Sequence, residues 1–279
     1  MNGGYPSFVD KIIDLALEED LGPGDVTTAA IIAASARGKA RLLAKEEIVL
    51  AGIDVFERVL SRLDPEISVK GNFRDGDSVP EGSDIGLVEG SIRAMLSGER
   101  TALNFLQHLS GIASLTRQYV EKTDPSKVRL VDTRKTTPGL RVLEKYAVRM
   151  GGGFNHRMGL FDGILIKDNH IAAAGSISEA VARAKAAVSH TVRLEVEVDD
   201  LRGLEEALEA GADAVLLDNM SVQEMGKAAR VAGGKVLLEA SGGITLETIE
   251  EASQTGVNLI SVGALTHSAR SVDISLELM

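Results

Sequence analysis

The feature that most limits the fold is a rhythm in the second half of the chain. Beyond about Val128 the short apolar runs VRLVDT, GILIKDN, RLEVEV, DAVLLDN, KVLLEA and NLISVGA follow one another. Between the later ones lie SISEAVARAKAAV, DLRGLEEALEAG, SVQEMGKAARVAG and TLETIEEASQTG, whose apolar residues recur at helical spacing. Strands alternating with helices at intervals of roughly 20 residues predict right-handed βαβ units and a parallel sheet. Their number and even spacing favour a closed α/β barrel over an open sheet. No GxGxxG follows the first strand, which argues against a doubly wound dinucleotide site.

Upstream the pattern differs. Pro6 to Glu18 reads as an amphipathic helix with Phe8, Ile12, Leu15 and Leu17 on or near one face, followed by a loop, LGPGDVTT. ARLLAKEEIVLAG and DIGLVEGSI read as strands around a helix, DVFERVLSRL, with RDGDSVPEGSD as turn material. This predicts an α+β lobe over residues 1–110 and a barrel over 111–267, with a C-terminal strand in 268–279 returning to the lobe. Met95 to about Val120 reads as one long helix, or a broken pair, bridging the two.

With aromatics at 3% and hydrophobic residues at 44%, the core must be built from Leu, Ile, Val, Ala and Met, which suits parallel strands covered by helices rather than a nucleic-acid stacking platform. There is no cysteine, so disulfides, thiolate metal sites and thiol nucleophiles are excluded. A net charge of -11 disfavours non-specific nucleic-acid binding, and no run of about 18 apolar residues predicts a membrane span. A cytoplasmic protein is expected, and any anion it binds must be captured locally.

In α/β barrels the residues just after each strand converge on the active site. Here these are Arg134 and Lys135, Lys167, Glu195 and Glu197, Asp218, Glu239 and Ser241, and Gly263. Glu195 and Glu197, two apart on a strand, face the same side and with Asp218 could hold Mg²⁺ through oxygen ligands; the alternative is an ion pair with Lys167 or Arg193. The endings EASGGI and SVGAL offer small residues through which backbone N–H groups can approach a phosphate.

One segment, DTRKTTPGLRVLEKYAVRMGGGFNHRMGL, concentrates positive charge in this acidic chain. Arg141, Lys145 and Arg149 recur every fourth residue of a helix and read as a solvated or partner-facing stripe. Arg134, Lys135, His156 and Arg157 sit at a strand end and beside a glycine run, and suit a dianionic or polyanionic substrate.

DTRKTTPGLR, GGGFNHRMGLFDGILIKDNHI, EVEV, LLDN, EASGGI, SVGALTHS and LSGERTALNFLQHLSGIA together resemble the quinolinate phosphoribosyltransferase family, from LEEDLGPGDVTT to VDISLEL. The resemblance implies an incomplete TIM-like barrel with an N-terminal α+β sandwich lobe. It implies transfer of a phosphoribosyl group from 5-phosphoribosyl 1-diphosphate to quinolinate, with loss of diphosphate and carbon dioxide. It also implies Mg²⁺ and at least a homodimer, with Arg100 entering the neighbouring subunit's site. Arg134, His156, Arg157, Lys167 and Arg100 resemble the carboxylate pocket, with Thr136 in the same motif; Lys135 resembles the lysine near the diphosphate. Glu197 and Asp218 resemble the acids that meet the ribose and the metal, and Ser241, Gly242, Gly243 and Gly263 resemble the phosphate cradle. Three other readings remain: a Schiff-base role for Lys167, a relative acting on a monocarboxylate or tied to molybdenum, and a catalytically silent phosphate-sugar binding barrel.

Overall fold

The computed structural model describes residues 7–279, so Pro6 lies outside the described residues. The chain divides into two compact units: residues up to Leu115 with Arg149–Gly151 and Ala269–Met279, and Thr116–Val148 with Gly152–Ser268.

The first unit begins with α1 (Ser7–Leu21), which buries Val9, Ile13 and Leu17, a strict i, i+4, i+8 stripe. Phe8 and Leu15, expected on the buried face, are exposed. The scatter of apolar residues around this helix allowed two stripes, and α1 uses the one that packs toward α3. Each fully buried aliphatic side chain contributes about 1.5–3 kcal/mol. A short helix α2 (Val26–Ile31) stands within what reads as loop; the Asp25 carboxylate accepts the Thr28 N–H at 2.9 Å and caps it. Then come β1 (Arg37–Ala44), β2 (Ile48–Val49), α3 (Ile53–Ser61), β3 (Ser68–Gly71), β4 (Ser78–Val79) and β5 (Asp84–Ser91). Strand β4 falls inside the expected turn material, where it pairs with β2. The helix α4 (Ile92–Glu121) runs unbroken for 30 residues, free of proline, and passes from the first unit into the second.

The second unit holds β6 (Arg129–Val131), α5 (Arg141–Met150), β7 (Ile164–Ile166), α6 (Asp168–Ala174), α7 (Ile177–Ala187), β8 (Leu194–Val198), α8 (Leu201–Ala210), β9 (Ala214–Asp218), α9 (Val222–Ala232), β10 (Leu237–Ser241), α10 (Ile249–Ser253), β11 (Leu259–Ser261) and α11 (Ala264–His267); the last two residues of α5 belong to the first unit. Its six strands form one parallel sheet in the order β6-β11-β10-β9-β8-β7. Among the described residues β6 and β7 are the two edges of this sheet and are not hydrogen-bonded to each other. Residues following both edges nevertheless line one cavity, so the sheet is curled into an incomplete barrel. Helix starts are capped by Asp200 under α8 and by Ser221 in a capping box with Glu224 under α9. The strand β12 (Ile274–Leu278) pairs antiparallel with β1, giving the first unit a sheet of order β12-β1-β5-β3. Among the described residues no helix is long and apolar enough to cross a membrane.

Candidate active site

Because the six strands are parallel, their C-terminal ends share one edge, and a cavity of about 760 Å³ opens there. The period of two on β8 buries Leu194, Val196 and Val198 on one face and turns Glu195 and Glu197 to the other. Glu197 pairs in register with Leu216, and Asp218 lies two residues further along β9 on the same face. Two carboxylates therefore stand diagonally on neighbouring strands in the cavity wall. Asp218 accepts a hydrogen bond from Asn219 Nδ2 at 2.9 Å, and Glu197 is ion-paired with Lys167. Lys167 is one of the two cations that the sequence offered as an ion-pair partner for these glutamates.

The cationic wall comes from three segments. Arg134 and Lys135 follow β6, His156 and Arg157 follow the bridge between Val131 and Phe154, and Lys167 follows β7. The Nε atom of Arg134 is buried and has no hydrogen-bond partner. Burial, and then the charge of Arg134, push the Arg157 guanidinium below its ordinary range. Two guanidiniums that repel each other at a desolvated wall call for an anion between them.

Beneath them lies an acidic floor. His156 Nε2 is 3.2 Å from Glu195 Oε2 and 3.4 Å from Glu239 Oε2. Burial opposes charge on this ring, but its hydrogen bonding and attraction to the two carboxylates win and push it up to about 10. Its Nδ1 meanwhile accepts the Arg157 N–H at 2.7 Å, a contact that suits the neutral ring. The carboxylate contacts at Nε2 favour the charged ring over this single amide contact. In either state Nε2 carries a proton toward the carboxylates. Although His156, Glu195 and Glu239 are close enough to enclose an ion, the ring thus presents an N–H and not a lone pair.

The opposite end of the cavity is built from turns. Gly242 (φ 90°) and Gly243 (φ 63°) follow β10 in the left-handed region, and Asn219 (φ 55°) does so after β9. A Cβ on Gly242 would collide with the Asn219 side chain. A Cβ on Gly263 would stand 3.0 Å from Lys135 Cδ and 3.1 Å from His267 Nε2. Ser241 joins these glycines in the cavity wall. Small residues there keep main-chain groups open to an anion.

Three expected residues are not in the cavity wall: Thr136, Arg100 and Glu195, the last of which instead contacts His156. Thr136 instead accepts a hydrogen bond from Arg141 Nε at 2.9 Å, and Arg100 is exposed on α4. The expectation of a solvated stripe on α5 holds for Arg149, which is exposed, and is corrected for Arg141 and Lys145. Lys145 is 1% exposed and ion-paired with Asp132, itself fully buried, and Arg141 reaches back to the Arg134 and Met158 carbonyls. Sequence reasoning passed over Asn219 and His267, which both line the cavity. A strand-end asparagine, LLDN, was the available signal for the first.

The chain matches the family models described as quinolinate phosphoribosyl transferase, N-terminal domain over residues 25–110 and C-terminal domain over residues 112–277. It is 46% identical over 268 residues to a probable nicotinate-nucleotide pyrophosphorylase (carboxylating) of Bacillus subtilis, covering 96% of this chain and 92% of that one. It is 40% identical to a quinolinate phosphoribosyltransferase (decarboxylating) of Nicotiana tabacum, covering 98% and 83%. The crystal structure of NadC from Streptococcus pyogenes superposes with a TM-score of 0.95 at 44% identity, covering all of both chains. With both family models together spanning most of its length, and a cavity whose cationic, acidic and glycine-lined walls stand at the ends of the strands those models cover, the chain belongs to the quinolinate phosphoribosyl transferase family.

Proposed function

We propose that this chain catalyses the carboxylating pyrophosphorylase reaction of de novo NAD synthesis: quinolinate and 5-phosphoribosyl 1-diphosphate give nicotinate mononucleotide, diphosphate and carbon dioxide. The observation that carries the reading is the polarity of one cavity, with a guanidinium whose buried Nε has no partner and an imidazole raised toward its charged form at one side, turns open to a phosphate at the other, and two carboxylates between.

Arg134, His156 and Arg157 bind the two quinolinate carboxylates, and Lys167 joins them by exchanging its contact with Glu197 for one with substrate. Ser241, Gly242, Gly243 and Gly263 hold the 5-phosphate. The ring nitrogen of quinolinate then attacks the anomeric carbon as the bond to diphosphate breaks, and the departing electron pair leaves with diphosphate. Lys135 stabilises that departing charge, while Glu197 and Asp218 face the cationic sugar.

The ring nitrogen, now quaternary, draws in the electron pair released when the adjacent carbon loses its carboxylate as carbon dioxide. A proton from water completes that carbon. Glu197 and Asp218, hard oxygen donors on neighbouring strands, fit Mg²⁺, which when bound would neutralise diphosphate and help orient it. The small-molecule substrates accord with the family. We further read the active unit as at least a homodimer in the cytoplasm, in which Arg100 of one protomer enters the carboxylate pocket of its partner.

The test is incubation of the purified protein with quinolinate, 5-phosphoribosyl 1-diphosphate and Mg²⁺, with nicotinate mononucleotide and carbon dioxide followed together. Equal amounts of both are expected, and none when nicotinate replaces quinolinate. Ligand binding with no product would mean a silent barrel; turnover of nicotinate would mean a monocarboxylate enzyme.

A further inference from the structure

The buried ion pair on α5 has no part in the reaction just described, yet it touches both cationic segments of the wall. Asp132 follows β6 and precedes Arg134 by two residues. Its Oδ1 accepts the main-chain N–H of His156 at 2.9 Å, and its Oδ2 accepts Asn155 Nδ2 at 2.6 Å. Lys145 pairs with the same carboxylate and also donates to the His156 carbonyl at 3.0 Å. One residue, His156, is thereby gripped at both its N–H and its carbonyl by a single charge pair. One helical turn earlier Arg141 donates to Thr136 Oγ1 at 2.9 Å and to the Met158 carbonyl at 3.1 Å, so it ties the segment after Arg134 to the segment after Arg157.

A buried ion pair is a poor device for stability alone, because desolvation of both charges offsets their attraction. Asp132 is 0% and Lys145 1% exposed, so neither charge touches solvent or substrate. What the pair does supply is direction: a carboxylate has fixed acceptor sites and an ammonium fixed donors, and a packed hydrophobic pair would have neither. Two carboxylates on adjacent ring carbons can be read only if Arg134 on one segment and His156 and Arg157 on the other keep a set separation. An error of about 1 Å in such an arrangement is costly.

We infer that Asp132 and Lys145 are positioning residues for quinolinate, which with Arg141 set the spacing of the two cationic segments and so the preference for a vicinal dicarboxylate. The inference rests on the functional reading above. It predicts a defect larger for quinolinate than for the sugar phosphate, since the phosphate cradle hangs on β10 and β11 and only Lys135 of the diphosphate's partners stands on a segment the pair holds.

The experiment uses the full-length Asp132→Asn/Lys145→Met double variant, which removes both charges at similar volume and keeps an acceptor for the His156 N–H. Quinolinate binding is read by calorimetry, and turnover by product formation. Expected are a rise of tenfold or more in the quinolinate dissociation constant and KM, and a KM for 5-phosphoribosyl 1-diphosphate within threefold of the parent. The melting temperature is expected to stay close to that of the parent. Unchanged quinolinate binding overturns the inference, as does an equal loss for both substrates.

Should the double variant not fold, Arg141→Gln is measured by the same two constants: a loss larger for quinolinate supports the inference, and unchanged binding or an equal loss overturns it. A parent protein that binds quinolinate but forms no product sinks the functional reading, and the positioning role is then judged on the dissociation constants. A parent that does not bind quinolinate sinks both.

Discussion

His156 Nε2 lies 3.2 Å from Glu195 Oε2, and the half-buried ring meets the buried carboxylates of Glu195 and Glu239 beside the two guanidiniums of the wall. An anion pocket thus stands on an acidic floor, and the floor keeps the imidazole charged. The ring is raised from an ordinary 6.5 to about 10. Its contribution to stability is therefore whole below pH 6.5, declines as pH rises, and is gone above about 10. Urea unfolding of the parent and of His156→Gln should show a stability difference that shrinks across this window, by at most about 1.4 kcal/mol per pH unit. A difference that stays flat from about pH 6 to about pH 10 would falsify the charged ring.

Gly242→Ala tests the phosphate cradle. The new methyl group meets Asn219 and sits on a backbone at φ 90°, so strain of about 1–3 kcal/mol is expected. The KM for 5-phosphoribosyl 1-diphosphate should rise at least tenfold while quinolinate binding, measured alone, holds within threefold. Equal affinities for the sugar phosphate in the two proteins would remove Gly242 from the cradle.

The carboxylates of β8 and β9 make a metal prediction. Chelation by EDTA should stop turnover, and added Mg²⁺ should restore it. In Glu197→Gln and Asp218→Asn the Mg²⁺ concentration giving half-maximal rate should rise at least tenfold. An unchanged Mg²⁺ dependence in both variants would place the metal elsewhere.

If Arg100 serves the partner's site, two crippled proteins can repair each other. Arg100→Ala and Lys135→Ala should each be nearly inactive. After mixing and subunit exchange, one site of each hybrid dimer is whole, and roughly a quarter of parental activity should return. No recovery, with exchange shown by mass spectrometry, would put Arg100 outside the neighbour's site.

The strand rhythm made the second unit legible because it depends on local period alone, and each of the six runs became a strand of the parallel sheet. The strand-end residues were legible for the same reason: parallel strands deliver their C-terminal ends to one edge. Lys145 was not. A lysine in a stripe that recurs every fourth residue looks solvated, and its partner Asp132 lies on another element, so only folding reveals the charge pair. The stripe of α1 was misassigned because two apolar faces compete on that helix, and the choice between Leu15 and Ile13 is made by α3. Arg100 carries no local signal at all; nothing in GERTALNF distinguishes it from a surface arginine.

The antiparallel pairing of β1 with β12 has a consequence for biogenesis. On the ribosome β1 emerges early, but its outer neighbour is translated only after every strand of the curled sheet. Until then β1 presents a bare edge of unpaired main-chain groups, the kind of surface through which nascent chains stick to one another. Alternating charges along β1, with Lys39 and Arg41 turned outward, serve as guards during that interval, and the same two residues later find Glu89 and Glu277 across the finished sheet. Chaperone dependence of expression should therefore track the integrity of the last strand rather than that of the catalytic cavity.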